Sequence, residues 1–200
     1  PFSLTQAQER AITELASSLV KTTPMNRLLE GDVGSGKTVV AATGALIVAK
    51  NGYQTAVMAP TQILASQHYN TLKNLLEPHG IEVELLTGDA KRKTKSEKRK
   101  TDVIVGTHAL LHHKKLFDKL AFVVIDEQHK FGVEQRATLL AKNANCHPHV
   151  LTMTATPIPR TIALTLYGDL NLSVLDQMPP GRQKITTWLE SQGCGKESVT

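Results

Sequence analysis

The 200-residue chain has only two cysteines, Cys146 and Cys194, far apart and in no metal-ligand spacing. That excludes a disulfide framework and fits a reducing cytoplasm. No apolar run reaches the length of about eighteen residues that a membrane-spanning helix needs. The N-terminus, Pro1-Phe2-Ser3-Leu4-Thr5-Gln6, has no charged region followed by an apolar run, as a signal peptide would. It also lacks an initiating Met, as expected of a piece of a longer chain. No solenoid-type repeat is visible. Trp188 is the single tryptophan, and one such ring is no stacking platform; it reads as a cover for the core. His108, His112 and His113 lie close together, but no Cys or carboxylate cluster joins them, which argues against a metal site.

Hydrophobic residues make up 40% of the chain, enough for a sizeable core in one domain, and the 20% charged fraction is too low for a disordered polymer. The net charge of +5 is concentrated. Residues Lys91 to Lys100 (KRKTKSEKRK) carry seven Lys/Arg and one Glu, a local +6, so the other 190 residues sum to −1. This basic decamer has two readings: a contact to nucleic-acid phosphates, or a solvated surface segment without a partner.

Hydrophobic periodicity predicts a helix over Thr5–Val20, where Ala11, Ile12, Leu15, Ala16 and Leu19 recur at helical spacing. Beyond Pro24, short apolar runs alternate with longer amphipathic segments. The runs are Arg27–Glu30, Thr55–Ala59, Val83–Leu86, Val103–Val105, Phe122–Ile125 and Val150–Met153; the helical segments include Val39–Lys50, Ile63–Leu76 and Val133–Lys142. Apolar runs separated by helices mean buried parallel strands in βαβ units. The expectation is a three-layer α/β/α fold with a mostly parallel sheet and ligands at the carboxyl ends of its strands. Residues 1–190 are assigned to this domain, and the polar, Gly-containing stretch 191–200 to a linker or frayed end.

Gly31-Asp32-Val33-Gly34-Ser35-Gly36-Lys37-Thr38 fits the phosphate-cradling pattern G-x-x-x-x-G-K-[ST], between a predicted strand and a predicted helix. Its glycines let backbone N–H groups turn toward phosphate oxygens, and the helix N-terminus adds favourable partial charge. Lys37 is expected to reach the β- and γ-phosphates of ATP, and the Thr38 hydroxyl to ligate Mg²⁺. Further on, Phe122-Val123-Val124-Ile125 ends in Asp126-Glu127-Gln128-His129. Alone, an Asp-Glu pair after a strand reads as the start of a helix. Beside a phosphate cradle it reads as Asp126 holding Mg²⁺ and Glu127 orienting and deprotonating the attacking water. This combination defines a P-loop NTPase.

The cradle and the acidic box resemble motifs I and II of superfamily 2 helicases and translocases. Thr5-Gln6-Ala7-Gln8 resembles the upstream adenine-reading element, with Gln8 as reader. Ala59-Pro60-Thr61 with Leu64-Ala65-Ser66-Gln67-His68 resembles motif Ia, Thr87-Gly88 motif Ib, Gly106-Thr107-His108-Ala109-Leu110 motif Ic, and Thr154-Ala155-Thr156 with Pro157-Ile158-Pro159-Arg160 motif III. Within the superfamily the chain is most similar to the first RecA-like motor lobe of RecG-type helicases. The resemblance is carried by Pro24-Met25-Asn26-Arg27-Leu28-Leu29 before the cradle, by Phe131-Gly132-Val133-Glu134-Gln135-Arg136, by Tyr167-Gly168-Asp169-Leu170 and by Pro179-Pro180-Gly181-Arg182. Ser35 and Gln128 favour this group over the transcription-repair coupling translocases, which usually carry Phe and Glu there. The stretch between Gly88 and Asp102 is shorter and more basic than the group's pattern.

The resemblance implies an ATP-dependent DNA helicase motor that remodels branched or forked DNA in repair and recombination, with ATP and Mg²⁺ as cofactors, acting as a cytoplasmic monomer. It implies phosphate contacts from Pro60, Thr61, Thr87, Gly88, Gly106, Thr107 and His108. Thr154, Ala155 and Thr156 would relay the γ-phosphate state, assisted by Gln128 and His129. The wedge domain and the second motor lobe, with its arginine finger, are not in this sequence, so the lobe alone is expected to bind nucleotide but turn it over poorly. The alternatives are a double-stranded DNA translocase of the transcription-repair coupling type and a solitary nucleotide-binding regulatory module.

Overall fold

The computed structural model describes residues 3–86, 101–107, 110, 117–126, 147–156, 170–179, 188–190 and 196–198. Seven strands form one sheet: β1 (Asn26–Gly31), β2 (Gln54–Met58), β3 (Val83–Leu86), β4 (Val103–Gly106), β5 (Leu120–Asp126), β6 (His149–Thr154) and β7 (Asn171–Leu175). Their order is β3-β4-β2-β5-β6-β1-β7, and every pairing in that sheet is parallel. All six expected strands are present, with ends shifted by a residue or two.

Helices α1 (Gln6–Leu19), α2 (Lys37–Lys50) and α3 (Gln62–Leu76) pack on one face of the sheet. The strands alternate accordingly. Leu29, Val57, Val105, Phe122, Val124 and Leu151 bury against the helices, while Ala56, Met58, Ile104, Val123, Ile125 and Val150 form a second cluster with Leu110 and the half-buried Phe117. Burial on both faces is why these strands read as continuous apolar runs. The predicted helix over Val133–Lys142 lies outside the described residues, as does the side chain of Trp188.

Local sequence sets the helix that leads to the cradle. Thr5 and Gln8 form a reciprocal capping box at the start of α1, with Gln8 N–H donating to Thr5 Oγ1 (3.2 Å) and Thr5 N–H to Gln8 Oε1 (3.0 Å). Such a cap is typically worth about 1 kcal/mol. Ala7, Ala11, Leu15 and Ser18 turn the buried face of α1 inward. Beneath it, the buried Arg27 of β1 donates to Glu14 Oε2 (3.0 Å), Ser18 Oγ (3.1 Å) and Ser173 Oγ (2.6 Å), and Ser173 also donates to Glu14. Burial lowers the Arg27 pKa, and Glu14 opposes that shift. This network fastens the C-terminal half of α1 to the start of β1 and to β7, at the end of β1 away from the loop that follows it.

Two differences from the sequence reading stand out. Strand β7 was not expected, because its inward position is the polar Ser173 and the apolar run is broken there. Lys196–Ser198, inside the stretch expected to be a linker or frayed end, pairs antiparallel with Trp188–Glu190 as a two-stranded sheet. Lys196-Glu197-Ser198 has no apolar residue, so hydrophobic patterning could not flag it. No helix among the described residues is long and apolar enough to cross a membrane.

Candidate functional site

Because the strands run parallel, the carboxyl ends of β1 to β7 share one edge of the sheet. That edge collects most of the described candidate residues. Gly31 closes β1, and the chain turns through Asp32–Ser35 with Ser35 N–H donating to the Asp32 carbonyl (3.1 Å). Gly36 then caps α2 at φ +90°, a left-handed conformation that a side chain opposes. A Cβ there would also sit 2.2 Å from Gln8 Nε2. Lys37 is held across the loop, its Nζ donating to the carbonyls of Gly31 (2.7 Å) and Asp32 (3.0 Å). Val33 and Gly34 are exposed at the loop tip, and Thr38 is half-buried in the first turn of α2.

Gln8 is seated against this loop, with only 3% of its surface exposed. Its Nε2 donates to the Ser35 carbonyl (2.8 Å) while its Oε1 accepts from Thr5 N–H. Both ends of the amide are therefore engaged by the protein, a geometry the sequence did not suggest. Gln177, just past β7, accepts from Ala7 N–H (3.2 Å), and Arg10 pairs with Asp176 at 3.0 Å. The end of β7 thus braces the first turns of α1 beside the loop. The Ser35 hydroxyl is buried and has no hydrogen-bond partner among the described residues.

Asp126 ends β5, two strands from β1, with β6 between them. Asp126 pairs in register with Met153, and Met153 with Leu29. Two interstrand spacings put the Asp126 backbone roughly 10 Å from β1. His68 of α3 reaches Asp126 from the other side, its Nε2 2.6 Å from Asp126 Oδ2, and both side chains are only 13% exposed. Sequence reasoning placed His68 within a motif but gave it no role. The only signal was its helical phase, seven residues beyond Thr61. On β6, Thr154 is buried and its hydroxyl meets that of Thr156 at 2.8 Å, while Thr156 N–H donates to Thr154 Oγ1 (3.1 Å). The half-buried Ala155 lies between them.

On the other half of the edge, Ala59 N–H donates to the Gly106 carbonyl (2.9 Å), tying the ends of β2 and β4. The half-buried Pro60 leads to the exposed Thr61, which caps α3 by accepting from Leu64 N–H (3.3 Å). Thr107 is half-buried, and its carbonyl accepts from Leu110 N–H (3.0 Å). Gly106 itself is buried; a Cβ there would lie 2.6 Å from the Leu86 carbonyl. Its small size serves backbone packing. Thr87, Gly88, His108, Glu127, Gln128 and His129, together with the basic decamer and Pro157–Arg160, lie outside the described residues.

Thr38 and Asp126 offer hard oxygen donors of the kind Mg²⁺ takes when phosphates and water complete its shell. No group of three or more His, Cys, Asp or Glu that could hold a metal occurs among the described residues. A site of one hydroxyl and one carboxylate fits a cation that arrives with a nucleotide better than an all-protein metal cage.

A parallel sheet whose first strand runs through a glycine-rich loop into a helix defines a P-loop nucleotide-binding fold of the RecA-like class. Within that class, the chain belongs to the DEAD/DEAH box helicase family, whose profile matches residues 5–165. It is 52% identical to the ATP-dependent DNA helicase RecG of Aquifex aeolicus (strain VF5), over 100% of this chain and 26% of that protein. It is 54% identical to RecG of Synechocystis sp., over 94% of this chain and 23% of that protein. A solved structure of RecG bound to a three-way DNA junction superposes with a TM-score of 0.77 at 44% identity, covering 92% of this chain and 25% of that one. The RecG-type resemblance is thus borne out. The chain spans about a quarter of the length of these relatives.

Proposed function

We propose that this chain, residues 1–190 above all, is the ATP-binding motor lobe of a DNA helicase that remodels branched DNA. The observation that carries this reading is the shared sheet edge. The glycine-rich loop after β1, the carboxylate at the end of β5 and the hydroxyl pair at the end of β6 share this edge with the exposed Thr61 after β2 and the half-buried Thr107 after β4. The similarity to RecG, one member of which was solved on a three-way junction, supports branched DNA as the partner.

In this reading the loop backbone from Gly31 to Gly36 cradles the phosphates of ATP. Lys37 exchanges its two backbone carbonyls for β- and γ-phosphate oxygens. Thr38 and Asp126 would hold Mg²⁺, and the ion's charge would offset that of the phosphates. Glu127 takes the proton of the attacking water, and Gln128 and His129 face the second lobe. Gln8 reads adenine by releasing one of its two present partners. Thr154 and Thr156, already hydrogen-bonded to each other, respond together to the γ-phosphate. Pro60, Thr61, Thr87, Gly88, Thr107 and His108 line the strand path, with Gly106 keeping β3 and β4 close beneath them. Hydroxyl and backbone contacts to phosphates hold a strand without reading bases, as translocation requires. The arginine finger belongs to a second RecA-like lobe, and a wedge domain engages the branch; the working unit is a cytoplasmic monomer.

Calorimetric titration of an ATP analogue with Mg²⁺ tests the cradle. Lys37→Ala is expected to remove binding or nearly so, because the phosphate charge loses its partner; unchanged affinity would contradict the assignment.

A further inference from the structure

The hydrogen bond between His68 and Asp126 joins two parts of the molecule that the family motifs treat separately. His68 lies on α3, whose first residue follows Thr61 at the exposed edge. Asp126 ends β5 on the nucleotide side, 58 residues further along the chain. The two side chains meet at 2.6 Å and are nearly closed off from solvent. A hydrogen bond between a ring nitrogen and a carboxylate oxygen fixes the orientation of both the ring and the carboxylate. One carboxylate oxygen, Oδ2, is held by His68; Oδ1 has no hydrogen-bond partner among the described residues and is left for another ligand.

The mechanical connection is short. His68 lies seven positions beyond Thr61, two turns and about 10 Å of helix. Thr61, Ala65 and His68 fall on one face of it, and Ala65 is fully buried. The first helical bond, from Ala65 N–H to the Thr61 carbonyl at 2.9 Å, is formed. A displacement at Thr61 therefore travels along a rigid, hydrogen-bonded segment to Nε2.

We propose that His68 is a positioning residue that orients Asp126 toward Mg²⁺ and couples strand binding at the Thr61 end of α3 to the nucleotide site. This rests on the reading of Asp126 and Thr61 given above and assigns the link between them. Partners that orient a metal ligand typically account for about 10–100-fold in metal affinity.

The test uses the intact protein and two titrations that do not read turnover. The first follows binding of a fluorescent non-hydrolysable ATP analogue as Mg²⁺ is raised and yields the Mg²⁺ midpoint. The second compares forked-DNA affinity with and without saturating Mg²⁺ and analogue, and yields the coupling ratio. His68→Gln, whose amide nitrogen reaches about as far as Nε2, is expected to keep both values near those of the native protein. His68→Asn keeps the amide but falls short of Asp126; its midpoint is expected to rise about tenfold or more and its coupling ratio to approach one. His68→Ala should match His68→Asn. Should His68→Ala fail to fold, the Gln and Asn pair still decides. Equal midpoints and coupling ratios for Gln and Asn, with only thermal stability changed, would overturn the proposal and leave His68 a packing residue. Lys37→Ala, run alongside, separates the two ideas: if it binds the analogue normally, the nucleotide-site reading has failed, whatever His68 does.

Discussion

The two halves of the sheet edge are built differently. On the side of β5, β6 and β1, polar groups are buried or half-buried and locked: Lys37 on two carbonyls, Gln8 on Thr5 and Ser35, Thr154 on Thr156, Asp126 on His68. On the side of β3, β4 and β2, the described candidates other than the buried Gly106 are exposed or half-exposed, and Thr61 does no more than cap its own helix. The difference follows from the two partners proposed. A nucleotide returns to one position in every cycle, so its donors are best pre-arranged. A translocating strand presents the same phosphates at each step, so weak, renewable contacts suffice. Substitutions on the first side should have large, discrete effects; those on the second should be small, graded and salt-dependent.

The largest effect is expected at Glu127. In the intact protein Glu127→Gln should leave affinity for the ATP analogue intact and lower the turnover rate by about 10²–10⁴, the usual loss on removing a general base. Steady-state ATPase assays check this, and activity within about twofold of the native rate would remove Glu127 from that role.

Next in size is the loop glycine. Gly36→Ala meets both a positive φ, typically a cost of about 1–2 kcal/mol, and the Gln8 amide. Gly52 has a similar φ of +77° but open space around it. Both substitutions should lower the melting temperature, and Gly36→Ala alone should weaken nucleotide binding. Equal losses of stability with unchanged nucleotide affinity would show that Gln8 does not constrain the loop.

On the nucleic-acid side, neutralising Lys91, Arg92 and Lys93 together tests the basic decamer, which lies in sequence between β3 and β4. If it touches phosphates, the plot of log affinity against log salt should flatten by up to about 0.9 per lost contact on duplex DNA. With no aromatic, Asn or Gln in the decamer, stacking and amide base readout are not open to it; contact through phosphates alone should weaken affinity for all sequences alike. Parallel lines of equal affinity would make it a solvated surface.

The smallest effect lies far from the edge. Met25 N–H donates to His149 Nδ1 at 3.0 Å, joining the starts of β1 and β6, and burial lowers the His149 pKa below its usual 6.5. The folded protein therefore binds fewer protons here than the unfolded chain. The contribution is fully present above pH 6.5 and is lost as pH falls through the depressed folded value. Chemical denaturation at neutral and mildly acidic pH should show this loss in the native protein and less of it in His149→Gln. Identical pH slopes would contradict it.

What could be read from the chain follows the same division. The cradle was fully legible, since eight residue types in a fixed strand–loop–helix setting leave the backbone little choice. Strands such as Phe122–Ile125 were legible because both faces are buried. Strand β7 was hidden by Ser173, a polar residue turned inward to meet Arg27 and Glu14. Gln8 was flagged as a ligand reader, yet its seat on the Ser35 carbonyl needs the approach of α1 to the loop, which no local pattern encodes. His68 was missed for the same reason: its partner is tertiary.

The account stands most directly on a pair of binding measurements with Lys37→Ala in the intact protein. Affinity for the Mg²⁺–ATP analogue should be lost, while nucleotide-free affinity for forked DNA stays within about twofold of the native value. Unchanged affinity for the analogue, or loss of both together in a protein that melts normally, would contradict the division of the sheet edge into a nucleotide half and a nucleic-acid half.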